Sequence, residues 1–336
     1  MKPVEHIFGN CEPEFAAVER VFRKNFADGW EREGAEFAVF VDGRLVVDLQ
    51  GGWKDAAASV PWTDQTRTIV FSVTKAVASL CIALLVDRGR LRYEQPVAEF
   101  WPEFARNGKE AITVEHVMTH RAGLTRPLPN GRPGTKTAYH AITFGWLVDQ
   151  IVRRVDEQRR SVSQFFREEI GRPHGVDFHL GLDPAEGHTV SRLSAPPRSH
   201  VFREMRADPR IAISACLVRL GGACSLRQQV KGVTDWMTID ARRVTLNNPA
   251  VHQLENAAAL GITKARELAK LFALVLDGKI VSAETLERIR KPQILGEIDA
   301  ALHAPLVKGH GFMFEKHPLR KDHAGSSATP DMADQR

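Results

Sequence analysis

Apolar residues recur at Phe15, Val18, Val21, Phe22 and Phe26, the spacing of one helical face, and Asp28-Gly29 closes the run. Two largely apolar, β-branched segments follow, Glu36 to Val41 and Arg44 to Leu49. The Asp42-Gly43 dipeptide between them favours a type I′ turn, so the pair predicts a β-hairpin, with Gly51-Gly52 expected to end it. From Ser72 the pattern turns helical. Ser72 to Arg88 is apolar nearly all round, as suits a helix buried in the middle of a protein, and Gly89 is placed to stop it. Thr113 to His120 predicts a short helix with Thr113 as N-cap, and the Pro- and Gly-rich stretch Gly123 to Gly134 predicts a loop. Phe144, Leu147, Val148, Ile151, Val152 and Val155 again follow helical spacing. Gly171 to Pro209 is polar and Pro-rich, an expected irregular excursion across the surface. A further helix is predicted from Thr263 to Leu276, ended by Asp277-Gly278. Beyond Pro292, Gly309 to Phe314 and Arg320 to Gly325 are strand candidates. This order suggests a sheet whose strands come from both ends of the chain, with a helical lobe between them.

Composition narrows the class. The 336 residues suffice for a large core, and 43% hydrophobic with 26% charged residues is ordinary for a globular protein. The net charge of +5 arises from 46 basic and 41 acidic residues spread along the whole length, with no block that reads as a nucleic-acid arm. The four cysteines (Cys11, Cys81, Cys216, Cys224) contain no C-x-x-C pair, so neither a disulfide framework nor a zinc knuckle is indicated, and Cys81 falls in an apolar run as an expected core thiol. Met1 to Asn10 lacks the apolar stretch of a signal peptide, and the longest apolar run, Ala76 to Val86, is too short for a bilayer. A soluble, cytoplasmic protein without a membrane span is the resulting expectation.

The chemistry concentrates in Phe71-Ser72-Val73-Thr74-Lys75. A three-residue step puts Ser72 and Lys75 on one helical face. A lysine one turn into an apolar helix is costly unless paired or snorkelling, and burial lowers its pKa until the amine can take a proton from a serine hydroxyl. The helix N-terminus adds N–H groups and partial positive charge where an oxyanion would form. On its own, S-x-x-K is short enough to arise by chance, and an N-cap serine followed by a surface lysine is then the more common explanation. Other chemistries find less. His116 and His120 stand four apart, but Val117 replaces the Glu of H-E-x-x-H and no third ligand is evident, so no metal is expected. There is no G-x-S-x-G nucleophile elbow, and no Gly-rich phosphate loop follows a strand, so no nucleotide cofactor is expected either.

The surroundings of Ser72 carry a resemblance. Ile69 to Lys75 followed by Asp87-Arg88-Gly89-Arg90-Leu91 resembles the first signature of the class C β-lactamase and family VIII carboxylesterase superfamily. Val117 to Leu124 is similar to that family's helix-to-loop segment downstream of the nucleophile. Tyr139-His140-Ala141-Ile142-Thr143-Phe144-Gly145-Trp146-Leu147 resembles its second motif, and His323-Ala324-Gly325 its third. The resemblance implies an α+β fold of the β-lactamase/transpeptidase type, an antiparallel sheet flanked by helices plus a mainly helical lobe. It implies a single domain over 1–336, with a sheet lobe from about 1–70 and 295–325, a helical lobe over about 71–294, and a polar tail at 326–336.

It also implies roles. Ser72 would be acylated, Lys75 and Tyr139 would share general base and acid work, the backbone N–H groups of Ser72 and Ser326 would form an oxyanion hole, and His323 and Gly325 would lie on the strand lining the site. Tyr139, read without the family, is better explained as a packing residue before an amphipathic helix, and the family resemblance reverses that preference. The implied substrate is a small acyl compound, hydrolysed without metal or organic cofactor. The pattern departs from the family twice. Where penicillin-active members carry Asn two places after the tyrosine, this chain has Ala141, which favours ester hydrolysis over β-lactam hydrolysis. The chain also ends at Arg336, shortly after the third motif, where the family continues with further strands and a helix. The expectation is therefore a truncated or alternatively spliced product, with the strand of His323 left as a sheet edge. The competing expectation is a non-catalytic homologue that keeps the pocket for binding.

Overall fold

The structure, a computed structural model, describes residues 6–124, 134–209, 211–213, 216, 229–230, 233, 235–240, 242–316 and 324–326. The first strand, β1 (Ile7–Cys11), precedes helix α1 (Ala16–Ala27), and β2 (Gly34–Val41) and β3 (Arg44–Asp55) form the expected hairpin. Asp42 and Gly43 both take positive φ, 49° and 72°, as a type I′ turn requires. β3 is the central strand, antiparallel to β1 on one side and β2 on the other, and its far end pairs with β4 (Val60–Pro61). Phe22 and Phe26 of α1 pack onto Val46, Val47 and Leu49 of that sheet.

The β2–β3 pairing ends at Gly52, opposite Gly34, as expected, while the strand β3 itself continues to Asp55 and there pairs with β4. At Gly52, with φ +85°, a Cβ would stand 1.9 Å from the Glu33 carbonyl oxygen. The glycine serves close backbone approach inside a strand, which in sequence looks the same as a stop.

Two short strands from distant parts of the chain join β5 (Thr68–Ile69) ahead of the helical region: β6 (Phe178–Leu180) and β7 (Gly261–Thr263) form a three-stranded antiparallel sheet in the order β5-β7-β6. The Gly171 to Pro209 stretch is thus not wholly an irregular surface excursion, since Phe178 and Leu180 are buried in this sheet. A three-residue strand centred on a polar histidine is too brief to show alternation.

Helix α2 (Thr74–Asp87) runs through the interior, with Ala76 to Ala83 wholly buried, and Gly89 (φ +66°) follows its end. It starts at Thr74 rather than Ser72, because Ser72 belongs to the turn that launches it. Cys81 lies in that core, and burial pushes its thiol pKa up. Around α2 pack α4 (Thr143–Val155) and α5 (Val162–Phe166), preceded in the chain by α3 (Val114–Met118) with its Thr113 cap. Of the loop predicted over Gly123 to Gly134, only Gly123, Leu124 and Gly134 are among the described residues. Further along the chain than helix α6 (Arg198–Ala207) come α7 (Ala265–Leu276), which lies on β2, and α8 (Ala283–Ile289), which contacts α2. Thr263, expected at the start of the α7 helix, is instead the last residue of β7.

The C-terminal region forms a second four-stranded antiparallel sheet from β8 (Ile294–Ile298), β9 (Pro305–Lys308), β10 (Met313–Lys316) and β11 (Ala324–Ser326), ordered β11-β10-β9-β8. The strand candidate Gly309 to Phe314 straddles the turn between β9 and β10, where Gly311 takes φ +92° and Gly309 N–H donates to Phe312 O. Of Arg320 to Gly325, only Ala324 and Gly325 are described, at the start of β11, which is an end strand of its sheet. Among the described residues the strands of the two chain ends make separate sheets rather than the one sheet expected. No helix among them is long and apolar enough to cross a membrane.

Candidate active site

The turn that launches α2 is tied to the three-stranded sheet. Val70 N–H donates to Gly261 O at 2.9 Å, and Phe71 bridges Leu260 with φ +43°, a left-handed backbone that a bulky residue rarely adopts. Thr74 N–H returns to Phe71 O at 3.0 Å and Lys75 N–H to Ser72 O at 3.0 Å. The outcome is a division of exposure: Ser72 is exposed while Lys75, three residues on, is buried at 5%.

The Lys75 ammonium nitrogen lies 3.3 Å from Ser72 Oγ, 2.9 Å from Ala141 O and 2.9 Å from Ala258 O. Burial alone lowers its pKa to about 7. A neutral amine has two N–H donors, which the two carbonyls take up, and its lone pair is then left for the serine hydroxyl proton. Nothing in the spacing S-x-x-K reveals the Ala258 carbonyl. It is brought close because Gly145 of α4 has no side chain: a Cβ there would meet Ala258 N at 2.5 Å.

Tyr139 completes the group. Its hydroxyl donates to Ser72 Oγ at 2.7 Å, and its ring centroid lies 4.8 Å from Lys75 Nζ. Burial raises the phenol pKa to about 12, opposed by the Ser72 hydrogen bond and reinforced by the charge of Asp299, so at neutral pH it is a proton donor. Its segment, Thr137 to Ile142, is neither helix nor strand and is held by side chains from afar. Tyr139 N–H donates to Asp299 Oδ1 at 3.1 Å. Gln229 clamps both flanks, donating from Nε2 to Tyr139 O and accepting from Ala141 N–H, each at 2.8 Å. His140 N–H donates to His120 Nδ1 at 3.1 Å. Sequence reasoning missed Gln229, Asp299 and Ala258, whose roles depend on tertiary contact.

The other sequence-predicted positions separate. Gly325 and Ser326 sit on β11, opposite Glu315 and Phe314 of β10, and Met313 of β10 packs against the cluster that contains Tyr139. His323 lies outside the described residues. Ala141 is buried, with its backbone engaged as above. His116 caps α3 reciprocally with Thr113, and His120 is buried beside Tyr139, its pKa well lowered by burial. The two do not converge, and among the described residues no group of three or more His, Cys, Asp or Glu could hold a metal ion.

An exposed hydroxyl between a buried amine and a buried phenol is equipped to lose its proton and attack an acyl carbon. Known proteins share the family and the fold. The sequence family described as Beta-lactamase matches residues 22–331. The esterase/beta-lactamase LipL of Mycobacterium tuberculosis is 34% identical over 295 residues, covering 81% of this chain and 65% of LipL. The esterase EstB of Burkholderia gladioli is 33% identical over 181 residues, 52% of this chain and 45% of EstB. The chain therefore spans about half to two thirds of the length of these relatives. Among solved structures, a family VIII carboxylesterase superposes with TM-score 0.75 at 27% identity, covering 93% of this chain and 84% of its own. A penicillin-binding protein homologue from Caulobacter crescentus gives TM-score 0.74 at 31% identity with the same coverage.

Proposed function

This chain belongs to the β-lactamase family, and from that premise we propose that it is a serine hydrolase of carboxylesterase type that forms an acyl-enzyme on Ser72. The observation that carries the reading is the convergence on Ser72 Oγ of Tyr139 OH at 2.7 Å and the buried Lys75 Nζ at 3.3 Å. As Ser72 Oγ attacks the carbonyl carbon of an ester, its proton passes to the neutral Lys75 amine. The tetrahedral oxyanion is met by the backbone N–H groups of Ser72 and Ser326. Collapse breaks the bond to the leaving alkoxide, which takes a proton from Tyr139, and the Lys75 ammonium restores the phenol. The net transfer moves the serine proton to the departing alcohol. Water then attacks the acyl-enzyme along the reverse route and frees Ser72.

The surroundings suit a neutral, apolar acyl group. Phe71 adjoins the nucleophile, and Trp236 and Met237 pack both against the cluster of Leu260 and against that of Tyr139. Val190 and Leu193, from the Gly171 to Pro209 segment, join the first of these clusters. Ala141 offers no side-chain amide to a β-lactam, in keeping with esters as substrates.

The test is hydrolysis of a short-chain p-nitrophenyl ester by the chain and by Ser72→Ala, with circular dichroism on both. Turnover lost in a folded mutant supports Ser72 as nucleophile. A folded but inactive wild type would refute the reading and favour a non-catalytic homologue that uses the pocket for binding.

A further inference from the structure

Behind Tyr139, on the side away from Ser72, lies an ion pair that the mechanism above does not use. Asp299 and Lys308 are 0% and 1% exposed at the side chain, with Lys308 Nζ 2.5 Å from Asp299 Oδ2. We propose that this pair is a positioning device for the Tyr139 hydroxyl, in addition to any part it has in holding the fold. The inference rests on the reading of Ser72 and Tyr139 given above.

Stability alone is a poor account of such a pair. Taking two charges out of water is costly, and apolar residues of equal volume often serve a core as well or better. What the pair does instead is join separate segments. Asp299 Oδ1 accepts from Tyr139 N–H at 3.1 Å and also from Ala301 N–H at 2.8 Å and Leu302 N–H at 3.0 Å, so one oxygen fixes its own turn and the tyrosine backbone together. Oδ2 is held by Lys308, which reaches in from β9 and donates as well to Thr137 Oγ1 at 2.6 Å. Ala300 N–H closes the junction on Thr137 O at 3.0 Å. Residues 137–139 are thus laced to 299–302 at both ends, and the lysine keeps the carboxylate from turning away.

The segment has no regular secondary structure to hold it, so these bonds, with Gln229 and His120, set where the phenol points. A catalytic group displaced by 1 Å loses on the order of a hundredfold in rate. A charge pair makes a directional anchor, because its geometry is specified by hydrogen bonds where an apolar contact would let the turn slide.

The experiment is a double-mutant cycle on p-nitrophenyl acetate hydrolysis with wild type, Asp299→Ala, Tyr139→Phe and the double mutant, each checked by circular dichroism and urea unfolding. Asp299→Ala is expected to lower kcat by about 10- to 100-fold with KM changed less than about threefold. In the Tyr139→Phe background the same change is expected to lower kcat by less than about twofold, because its route of action is already gone. Asp299→Asn combined with Lys308→Met keeps an oxygen acceptor for Tyr139 N–H without setting an ammonium against the amide N–H groups, and is expected to recover part of the rate. Should Asp299→Ala fail to fold, Asp299→Leu with Lys308→Met removes both charges and leaves neither unpaired, and the same non-additivity is expected. Losses that multiply across the cycle overturn the positioning role while leaving the Ser72 and Tyr139 chemistry standing. A Tyr139→Phe enzyme as fast as wild type overturns both.

Discussion

The two halves of the proposed catalytic group are built in opposite ways. Ser72 and Lys75 share one turn, and their 3.3 Å approach is set by a three-residue step at the head of an interior helix. Tyr139 meets the same hydroxyl at 2.7 Å from a segment without regular structure, pinned by Asp299 and Gln229, both far along the chain. The first half depends on burial, since what makes Lys75 useful is the apolar helix around it. The second depends on long-range hydrogen bonds, each replaceable by water in a looser fold. A site of this kind gains its reactivity locally and its alignment globally.

The largest expected effect tests the local half. Lys75→Met removes the only group among the described residues around Ser72 able to take the serine proton at neutral pH, and general-base loss of this kind lowers kcat/KM by about 10²- to 10⁴-fold. If p-nitrophenyl acetate turnover falls by less than tenfold, Tyr139 and not Lys75 must carry the base role, and the division drawn above is wrong. The pH profile sharpens the same point. The active form is the unprotonated amine, with its pKa lowered to about 7 by burial. kcat/KM should therefore rise with pH, fall about tenfold per unit well below pH 7, and level off above it. A limb near pH 10 would show an ordinary, solvated lysine.

A substitution at the seam between the halves should act on both. Gly145→Ala would drive a Cβ to 2.5 Å from Ala258 N, the residue whose carbonyl holds Lys75. Overpacking against backbone typically destabilises by about 1–3 kcal/mol, and chemical denaturation should read that loss together with a several-fold drop in kcat. A stable, fully active Gly145→Ala enzyme would mean that α4 can withdraw without moving the lysine.

The contrast also explains what could be read from the residues in order. The α1 face, the Asp42-Gly43 hairpin and the interior helix all rest on periodicity or on one dipeptide, and each is found where expected apart from small shifts of boundary. The strands β6 and β7 are three residues each, shorter than any alternation can reveal, so the sheet that anchors the Ser72 turn was invisible. Gly51-Gly52 marks the end of the hairpin pairing but not of the strand, because a glycine there also serves close backbone approach. Ser72, Lys75 and Tyr139 could be singled out because they sit in recognisable strings, and the structure brings their reactive atoms together. Asp299, Lys308 and Gln229 stand in no such string. A buried aspartate looks like any surface aspartate until the fold shows what surrounds it.

The smallest effect, and the finest probe of the non-local half, is Gln229→Ala. Its amide spans Tyr139 O and Ala141 N–H, the latter on the residue whose carbonyl accepts from Lys75. Two neutral hydrogen bonds are together worth about 1–3 kcal/mol before water replaces them, and Asp299 would still hold Tyr139 N–H. The expected outcome is a drop in kcat of about three- to tenfold with little change in unfolding midpoint. Gln229→Glu should be the more harmful of the two, because it sets a carboxylate oxygen against the Tyr139 carbonyl in place of an N–H donor. Equal kcat for the two variants would mean that the clamp contributes only packing, and that alignment of the phenol is left to Asp299 and His120 alone.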